Sequence, residues 1–159
     1  LGNVSAVSAG LGFSLALDKS RIVWAWGGNW NGQLGDGTRE DDIPGNGVVE
    51  GKAVPQPVKI SATESLGRIK AISAGRFHGL ALDRDGKLWA WGDNQSGALG
   101  HDPVETPESL YAVPVKDFGG RNDLSRVLDI AAGNLFSMAM EKRGFNATVS
   151  LSSSVNPAA

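Results

Sequence analysis

Short stretches in which apolar and polar positions alternate recur along this chain, and glycine-rich turns separate them. In the middle of the chain, residues 68–74 (RIKAISA) show the two-residue period of a strand, and 77–82 (FHGLAL) and 87–91 (KLWAW) are predicted as the next two strands. A fourth stretch, 112–118, has a proline near its start, which is typical of an edge strand. Since no stretch of ten or more residues keeps a helical period, the pattern predicts a unit of about four short antiparallel strands.

This unit is repeated along the chain. Residues 7–36 and 72–101 align without a gap at an offset of 65 residues, and 130–144 repeats the first part of the pattern 58 residues further on. Residues 54–60 of the first copy correspond to the fourth strand of the second. Repeats of this length are typical of propellers, solenoids and arrays, in which each unit buries its faces against its neighbours. We predict units at about 4–60, 68–118 and 126–145.

About a dozen positions recur in register in the first two copies. In the second copy they are Ala74, Gly75, Ala81, Leu82, Trp91, Gly92, Asn94, Gly97, Leu99, Gly100, Pro114 and Val115, and this copy adds His78, Asp85 and Gly86 to the pattern. In the first copy they are Ala9, Gly10, Ala16, Leu17, Trp26, Gly27, Asn29, Gly32, Leu34, Gly35, Pro57 and Val58, and this copy adds Gln33. The pattern resembles the regulator of chromosome condensation repeat. The resemblance implies an all-β fold: a partial propeller arc of two four-stranded antiparallel blades and most of a third.

The copies depart from this family pattern at a few positions. Phe13 and Phe136 stand where the family has His, and the first hairpin, 18–21, lacks the Asp-Gly pair of the second. The third copy lacks the Trp-Gly segment and has 145–150 (FNATVS) in its place. A full ring needs more blades than this chain contains. We therefore expect either a piece of a longer protein or copies that self-associate through open blade edges.

The C-terminal tail, 146–159, resembles the first strand of the bacterial Ig-like repeats found in large surface proteins. The resemblance implies a secreted or surface-attached bacterial protein and the start of an Ig-like module. The alternative is that the tail supplies a closing strand to the last blade or to a neighbouring copy.

Charge, composition and missing motifs argue against several classes of function. The net charge is -2 at pH 7, which argues against nucleic acid, because nucleic-acid-binding proteins carry basic stripes. No apolar stretch approaches the ~18 residues of a membrane span, so we predict no membrane insertion. The chain has no Cys, which excludes thiolate nucleophiles and Cys-ligated zinc. Without a Walker or Gly-x-Ser-x-Gly motif, we predict no enzyme, no cofactor and no metal site.

The recurring aromatic and His residues favour a structural role. Trp24, Trp26, Trp89 and Trp91 occupy equivalent positions, which predicts a Trp layer between blades with each N–H bonded to backbone, rather than an aromatic platform for a ligand. For His78, the family resemblance implies packing between blades, with the imidazole bonded to backbone, rather than a catalytic base.

Binding is expected in the segments that differ between copies, because repeat proteins commonly carry specificity in such insertions. These segments are rich in carboxylates, and an unrepeated Trp stands where the second copy has Gln95. The candidate partner-binding residues are Trp30, Asp36, Arg39, Glu40, Asp41, Asp42, His101, Glu105 and Glu108. The alternatives are solvated polar loops or a calcium site, but the carboxylate spacing does not match a local calcium loop.

The sequence therefore predicts a non-catalytic interaction module that binds a protein or a glycan through loops between strands. Two alternatives stay open. One is a self-assembling structural subunit, and the other is an exchange-factor-like or enzyme-inhibitor propeller, which the family resemblance suggests.

Overall fold

The computed structural model describes residues 1–40, 51–117 and 119–142, together with the backbone of 143 and 146–152. Within these ranges every extended regular element is a β-strand. The strands are β1 (Val4–Ala9), β2 (Phe13–Asp18), β3 (Val23–Gly27), β4 (Lys52–Pro57), β5 (Ile69–Ala74), β6 (His78–Asp83), β7 (Leu88–Asp93), β8 (Glu108–Pro114), β9 (Val127–Ala132), β10 (Ser137–Arg143) and β11 (Asn146–Ser152). They form three antiparallel sheets in the orders β1-β2-β3-β4, β5-β6-β7-β8 and β9-β10-β11, called blades 1, 2 and 3. The predicted all-β fold with four-stranded antiparallel blades is confirmed.

The first strands of the blades, β1, β5 and β9, lie next to one another. The Ser8 hydroxyl oxygen of β1 accepts a hydrogen bond from the backbone N–H of Ala74 in β5, at 3.0 Å. The same bond recurs one blade later, where Ser73 accepts from Ala132 at 2.9 Å. Successive blades are therefore joined by equivalent contacts, as the sequence repeat predicts.

The hydrophobic core lies between the blades rather than inside any one of them. One buried cluster joins blades 1 and 2: Phe13, Leu15, Leu17, Val23, Ala25, Leu34, Val58, Leu66, Ile69, Ala81, Trp91 and Ala112. A second cluster joins blades 2 and 3: Leu80, Leu82, Leu88, Ala90, Leu99, Val115, Val127 and Ala139. Because strand side chains alternate between two faces, blade 2 contributes one face to each cluster.

The hairpins between second and third strands use the same Asp in both complete blades. Asp83 accepts the N–H groups of Asp85 and Lys87, both at 2.9 Å, and Gly86 has a positive φ of +83°. Arg21 takes the corresponding place in blade 1 with φ +70°. The first hairpin therefore forms without glycine, at the conformational cost of a side chain in the left-handed region.

The fourth strands are edge strands, as predicted, but their predicted bounds are wrong. β4 and β8 begin and end earlier than 54–60 and 112–118, and Pro57 and Pro114 lie at their C-terminal ends rather than near their starts. These prolines are tolerated because each strand is the outermost of its sheet, where one side of the backbone needs no partner. Phe118, the last residue of the predicted strand, lies outside the described residues.

Blade 3 is completed differently from blade 2. β11 pairs antiparallel with β10, and Ser152 lies opposite Ser137, whereas in blade 2 Trp91 lies opposite Gly79. The Ser137 hydroxyl donates to the backbone carbonyl of Ala98 at 2.7 Å. A serine of blade 3 thus bonds to the preceding blade where blade 2 uses a Trp. The predicted unit bounds and the assignment of 146–159 stay predictions.

We predict that Gly92→Ala destabilises the fold by about 3 kcal/mol, whereas Gly120→Ala costs only about 1 kcal/mol. Both glycines have positive φ, +97° and +66°. A Cβ at Gly92 would lie 2.4 Å from the carbonyl oxygen of Phe77, whereas nothing lies within 4 Å at Gly120. Urea unfolding of the two variants measures the difference. Equal losses would contradict the close backbone packing at Gly92.

Candidate functional site

The alternating strand directions give the blades two distinct ends. The loop end contains the turns between first and second strands and the long connections into the fourth strands, here residues 10–12, 28–40, 51–52, 75–77, 93–108 and 133–136. The hairpin end contains residues 18–22, 58–68, 83–87, 115–126 and 141–143. All the described candidate residues belong to the long connections of the loop end. Asp41 and Asp42 lie outside the described residues.

Both long connections are held by a buried asparagine. The Asn94 side-chain oxygen accepts the N–H of Leu99 at 2.8 Å, and its amide nitrogen donates to the carbonyl of Thr106 at 2.6 Å. In blade 1, Asn29 accepts the N–H of Leu34 in the same way, at 3.0 Å. Both leucines are fully buried. The start of each connection is therefore part of the core. The residues that follow continue from a segment held by these hydrogen bonds.

Asp36 is buried within the first connection. It accepts hydrogen bonds from the Thr38 hydroxyl at 2.6 Å and from the Lys52 ammonium, with which it also forms an ion pair. Burial by itself would raise the pKa of the Asp36 carboxyl, but these bonds outweigh it and hold the pKa below its usual range. Asp36 thus stays ionised and orients the residues that follow it.

Arg39 and Glu108 join the two connections. The Arg39 guanidinium lies 2.6 Å from a Glu108 carboxylate oxygen, so that a blade 1 loop is paired with the start of β8. Asp93 lies directly opposite Glu108 in the β7–β8 ladder and is buried. Burial raises the pKa of the Asp93 carboxyl, and the Glu108 carboxylate raises it further. The sequence analysis missed Asp93, although it differs between the copies, where blade 1 has Gly28.

The remaining candidates differ in exposure. Glu105 is exposed at the tip of the second connection, beside the 89% exposed Val104. The His101 ring is half-buried, with Nε2 2.9 Å from the carbonyl oxygen of Pro114. The backbone N–H of Glu40 donates to the carbonyl of Asn29 at 3.1 Å. As partner contacts, all of these residues stay predictions.

Trp30 lies in a shallow cleft of about 290 Å³. The cleft is lined by Gly12, Trp26, Gly27, Gly28, Trp30, Gly51, Lys52 and Ala53. The Trp30 ring packs on two glycines: a Cβ added at Gly28 would lie 2.8 Å from it, and one at Gly12 would lie 3.1 Å away. Sequence reasoning identified Trp30, assigned Trp26 to the Trp layer between blades and missed Lys52. The assignment is not confirmed for Trp26, which is partly exposed on the face of blade 1 that no described blade covers. No local sequence signal places Trp26 and Lys52 beside Trp30.

The structural role predicted for the recurring Trp residues is confirmed for Trp91, which is fully buried and donates to the backbone carbonyl of Gln33 at 2.9 Å. Trp24 and Trp89 instead donate to the hairpin carboxylates of Asp18 and Asp83. A backbone acceptor was therefore the wrong prediction for these two, because the hairpin aspartate lies closer to the indole N–H.

His78 packs between blades 2 and 3, as predicted, with a hydrogen bond to the backbone of Phe136. Its Nε2 also lies 3.1 Å from the Ser137 hydroxyl. Burial lowers the pKa of His78 to about 4, and the backbone bond offsets only part of this effect. The imidazole is therefore neutral at pH 7.

The described residues contain no group of three or more His, Asp or Glu side chains placed to hold a metal ion. In the same part of the chain, no helix has the length and apolar character needed to cross a membrane.

The two ends of the blades differ in charge. Among the described side chains, the loop end carries six carboxylates against three cations, and the hairpin end carries ten cations against seven carboxylates. At the loop end these are Asp36, Glu40, Asp93, Asp102, Glu105 and Glu108 against Arg39, Lys52 and Arg76. Although the net charge of the whole chain is small, the loop end is therefore negative and the hairpin end is positive.

Three sheets with repeated interblade contacts and cores between them define a β-propeller repeat protein. A model of the regulator of chromosome condensation (RCC1) repeat matches residues 22–82 and 85–140, and a second RCC1 repeat model matches 4–33 and 69–98. The chain therefore belongs to the RCC1 repeat family, which confirms the resemblance seen in the sequence.

Relatives and solved structures agree with this assignment. Protein pim1 of Schizosaccharomyces pombe is 30% identical over 154 residues, covering 91% of this chain and 26% of pim1. Protein RCC1 of Candida albicans is 30% identical over 153 residues, covering 91% of this chain and 31% of that protein. The crystal structure of Prp20p from Saccharomyces cerevisiae matches with a TM-score of 0.65 at 25% identity, covering 94% of this chain and 33% of Prp20p. The chain thus spans about a third or less of these proteins.

We predict that acidification from about pH 6.5 to about pH 4 destabilises the fold through His78. In this window the unfolded chain binds a proton that the folded chain does not, so the free energy of unfolding falls by up to about 3 kcal/mol as the pH drops. Urea unfolding at pH 7 and about pH 4.5 measures the change. His78→Phe is the matched control, because Phe stands at this position in both other copies. The same pH dependence in both proteins would contradict the prediction.

Proposed function

We propose that this chain is a non-catalytic protein-binding module whose loop end receives a positively charged surface of its partner. The observation that supports this proposal most strongly is the excess of carboxylates at the loop end, where the connections that differ between copies also lie. Prp20p, a member of the same family, is described by its binding to Gsp1p and to histones, and histones are basic proteins that wrap DNA.

The segments that carry the loop-end carboxylates are held in place by hydrogen bonds, which favours binding. Asn29 and Asn94 hold the connections through buried hydrogen bonds, and the Arg39–Glu108 pair joins them. Because these segments are held before a partner arrives, association costs less conformational entropy than it would for free loops.

Charge complementarity favours a basic protein over the glycan that the sequence analysis also considered. Opposite charges on two surfaces accelerate the encounter and orient the partners, whereas a neutral sugar gains nothing from the negative field. The secreted or surface location and the bacterial origin predicted from the tail stay predictions.

Self-assembly is a second candidate, favoured by the outer faces of the arc. Val7 of blade 1 is 73% exposed and Phe136 of blade 3 is 43% exposed, whereas the residue equivalent to Phe136 in blade 2, His78, is buried against its neighbour. Light scattering over a concentration series tests this candidate. A stable oligomer that Phe136→Ser dissociates would support it, and a monomer at all concentrations would contradict it.

We predict that Asp102→Lys combined with Glu105→Lys weakens binding of purified core histones about tenfold, because two exposed carboxylates at the loop end become cations. Glu64→Lys combined with Asp85→Lys is the matched control, since both residues are also exposed, lie at the hairpin end and give the same change in net charge. It should leave the affinity unchanged. Fluorescence anisotropy at about 50 and 200 mM salt measures both the affinity and its salt dependence.

Equal affinities for wild type and the loop-end variant would contradict the proposal. A nucleotide-release assay with Gsp1p, run alongside, tests the exchange-factor alternative. Faster release in the presence of the chain would favour that alternative over a purely binding role.

A further inference from the structure

We propose that a cationic row at the hairpin end binds an acidic segment of a partner protein. This surface lies at the opposite end of the blades from the one in the proposed function, so the inference goes beyond that function. The row consists of Lys19 and Arg21 of blade 1, Arg68 and Arg84 of blade 2, and Arg126 and Lys142 of blade 3.

Backbone hydrogen bonds hold the cations of each blade together. In blade 2, the N–H of Arg84 in the hairpin donates to the carbonyl of Arg68, which directly precedes the first strand, at 3.1 Å. In blade 3, the N–H of Lys142 donates to the carbonyl of Arg126 at 3.0 Å. The same two positions are therefore paired in consecutive blades, and each position carries a cation.

The hairpin of one blade also contacts the start of the next blade. The Arg21 carbonyl accepts the N–H of Ile69 at 3.2 Å, and the Gly86 carbonyl accepts the N–H of Val127 at 2.9 Å. Each donor directly follows the arginine that precedes the first strand. The backbone positions that carry the cations therefore follow one another without a break across the three blades.

The row is exposed within the arc and not only at its two outer faces. Blade 2 packs against a neighbour on each side, and Arg68 and Arg84 are nevertheless exposed. The equivalent residues Lys19, Arg126 and Lys142 are exposed as well. The row therefore belongs to a surface that stays open where blades are covered by their neighbours.

A carboxylate of the chain itself shows what the row can hold. Nη2 of Arg68 lies 3.2 Å from Oδ1 of Asp85, and Nη1 lies 3.2 Å from Oδ2, which is a bidentate geometry. The two side chains are 71% and 65% exposed, so this pair is weak and an incoming carboxylate can replace it. Arg84, Arg126 and Lys142 form no ion pair with any described residue, which leaves them available to a partner.

The remaining charges favour an acidic protein segment over nucleic acid. Four carboxylates lie in the same hairpins as the six cations: Asp18, Asp83, Asp85 and Glu141. They reduce the excess of positive charge, and nucleic-acid binding depends on many phosphate contacts in a strong field. Local bidentate contacts between arginine and carboxylate remain possible, because Asp18 and Asp83 accept backbone N–H groups of their own turns instead of pairing with the row.

The test uses a fluorescein-labelled peptide, Glu-Gly-Glu-Gly-Glu-Gly-Glu-amide, and its counterpart with glutamine in place of glutamate. We expect the chain to bind the glutamate peptide about tenfold more tightly at about 50 mM salt, and Arg84→Gln combined with Arg126→Gln to remove most of this difference. The backbone bonds of both residues are kept in this variant, and urea unfolding checks its stability. Fluorescence anisotropy measures each affinity.

Arg76→Gln combined with Arg121→Gln is the matched control. Both arginines are exposed and lie outside the row, and their loss gives the same change in net charge, so the affinity should stay as in the wild type. Asp85→Asn frees Arg68 and should raise the affinity for the glutamate peptide about twofold.

The inference is overturned if the row variant binds the glutamate peptide as the wild type does, or if the control weakens binding equally. Tighter binding of an oligothymidylate of the same charge would overturn the acidic protein segment in favour of nucleic acid. The Asp102→Lys, Glu105→Lys variant should bind the glutamate peptide no more weakly than the wild type. Loss of its histone binding therefore tests the loop end alone, and either surface can fail without the other.

Discussion

The apolar layer between neighbouring blades is the interaction on which the rest of this structure depends. Each sheet is too thin to bury its own side chains, so Leu15 and Leu17 of blade 1 reach complete burial only against Ile69 and Trp91 of blade 2. Full burial of a large apolar side chain contributes about 1.5–3 kcal/mol, which is far more than an exposed ion pair contributes. This stacking fixes the positions of the turns, of the asparagines that hold the long connections, and of the two ends of the blades.

Small residues decide how closely the blades and strands approach. Gly79 makes room for the Trp91 ring, which then donates to the carbonyl of Gln33 in the preceding blade. Blade 3 has Ser137 in place of that glycine, and its hydroxyl makes the interblade bond instead. The interface thus keeps its hydrogen bond although the donor comes from a different strand. A repeat protein can vary its blades in this way while each interface stays satisfied.

The neighbouring blade also decides which tryptophans are buried. Trp91 is buried in the layer between blades 1 and 2, whereas Trp26, its equivalent, lies on the face of blade 1 that no described blade covers and lines the cleft with Trp30. The cleft and the excess of carboxylates lie at the same end, while the cations outnumber the carboxylates at the other, and this division comes from the strand order rather than from overall composition.

The repeat of 65 residues, the alternation within RIKAISA and the recurring Gly and Trp positions determined the all-β fold, the blade as a unit and the family. The burial of His78 followed from the family pattern. Strand bounds next to Pro57 and Pro114 could not be predicted, because an edge position accepts proline anywhere along the strand. Nor could the pairing of Arg39 with Glu108, 69 residues apart, since local sequence does not show which loops meet across two blades. Only the tertiary structure decided that Trp26 and Trp30 line one cleft, because that depends on the space that Gly12 and Gly28 leave for the Trp30 ring.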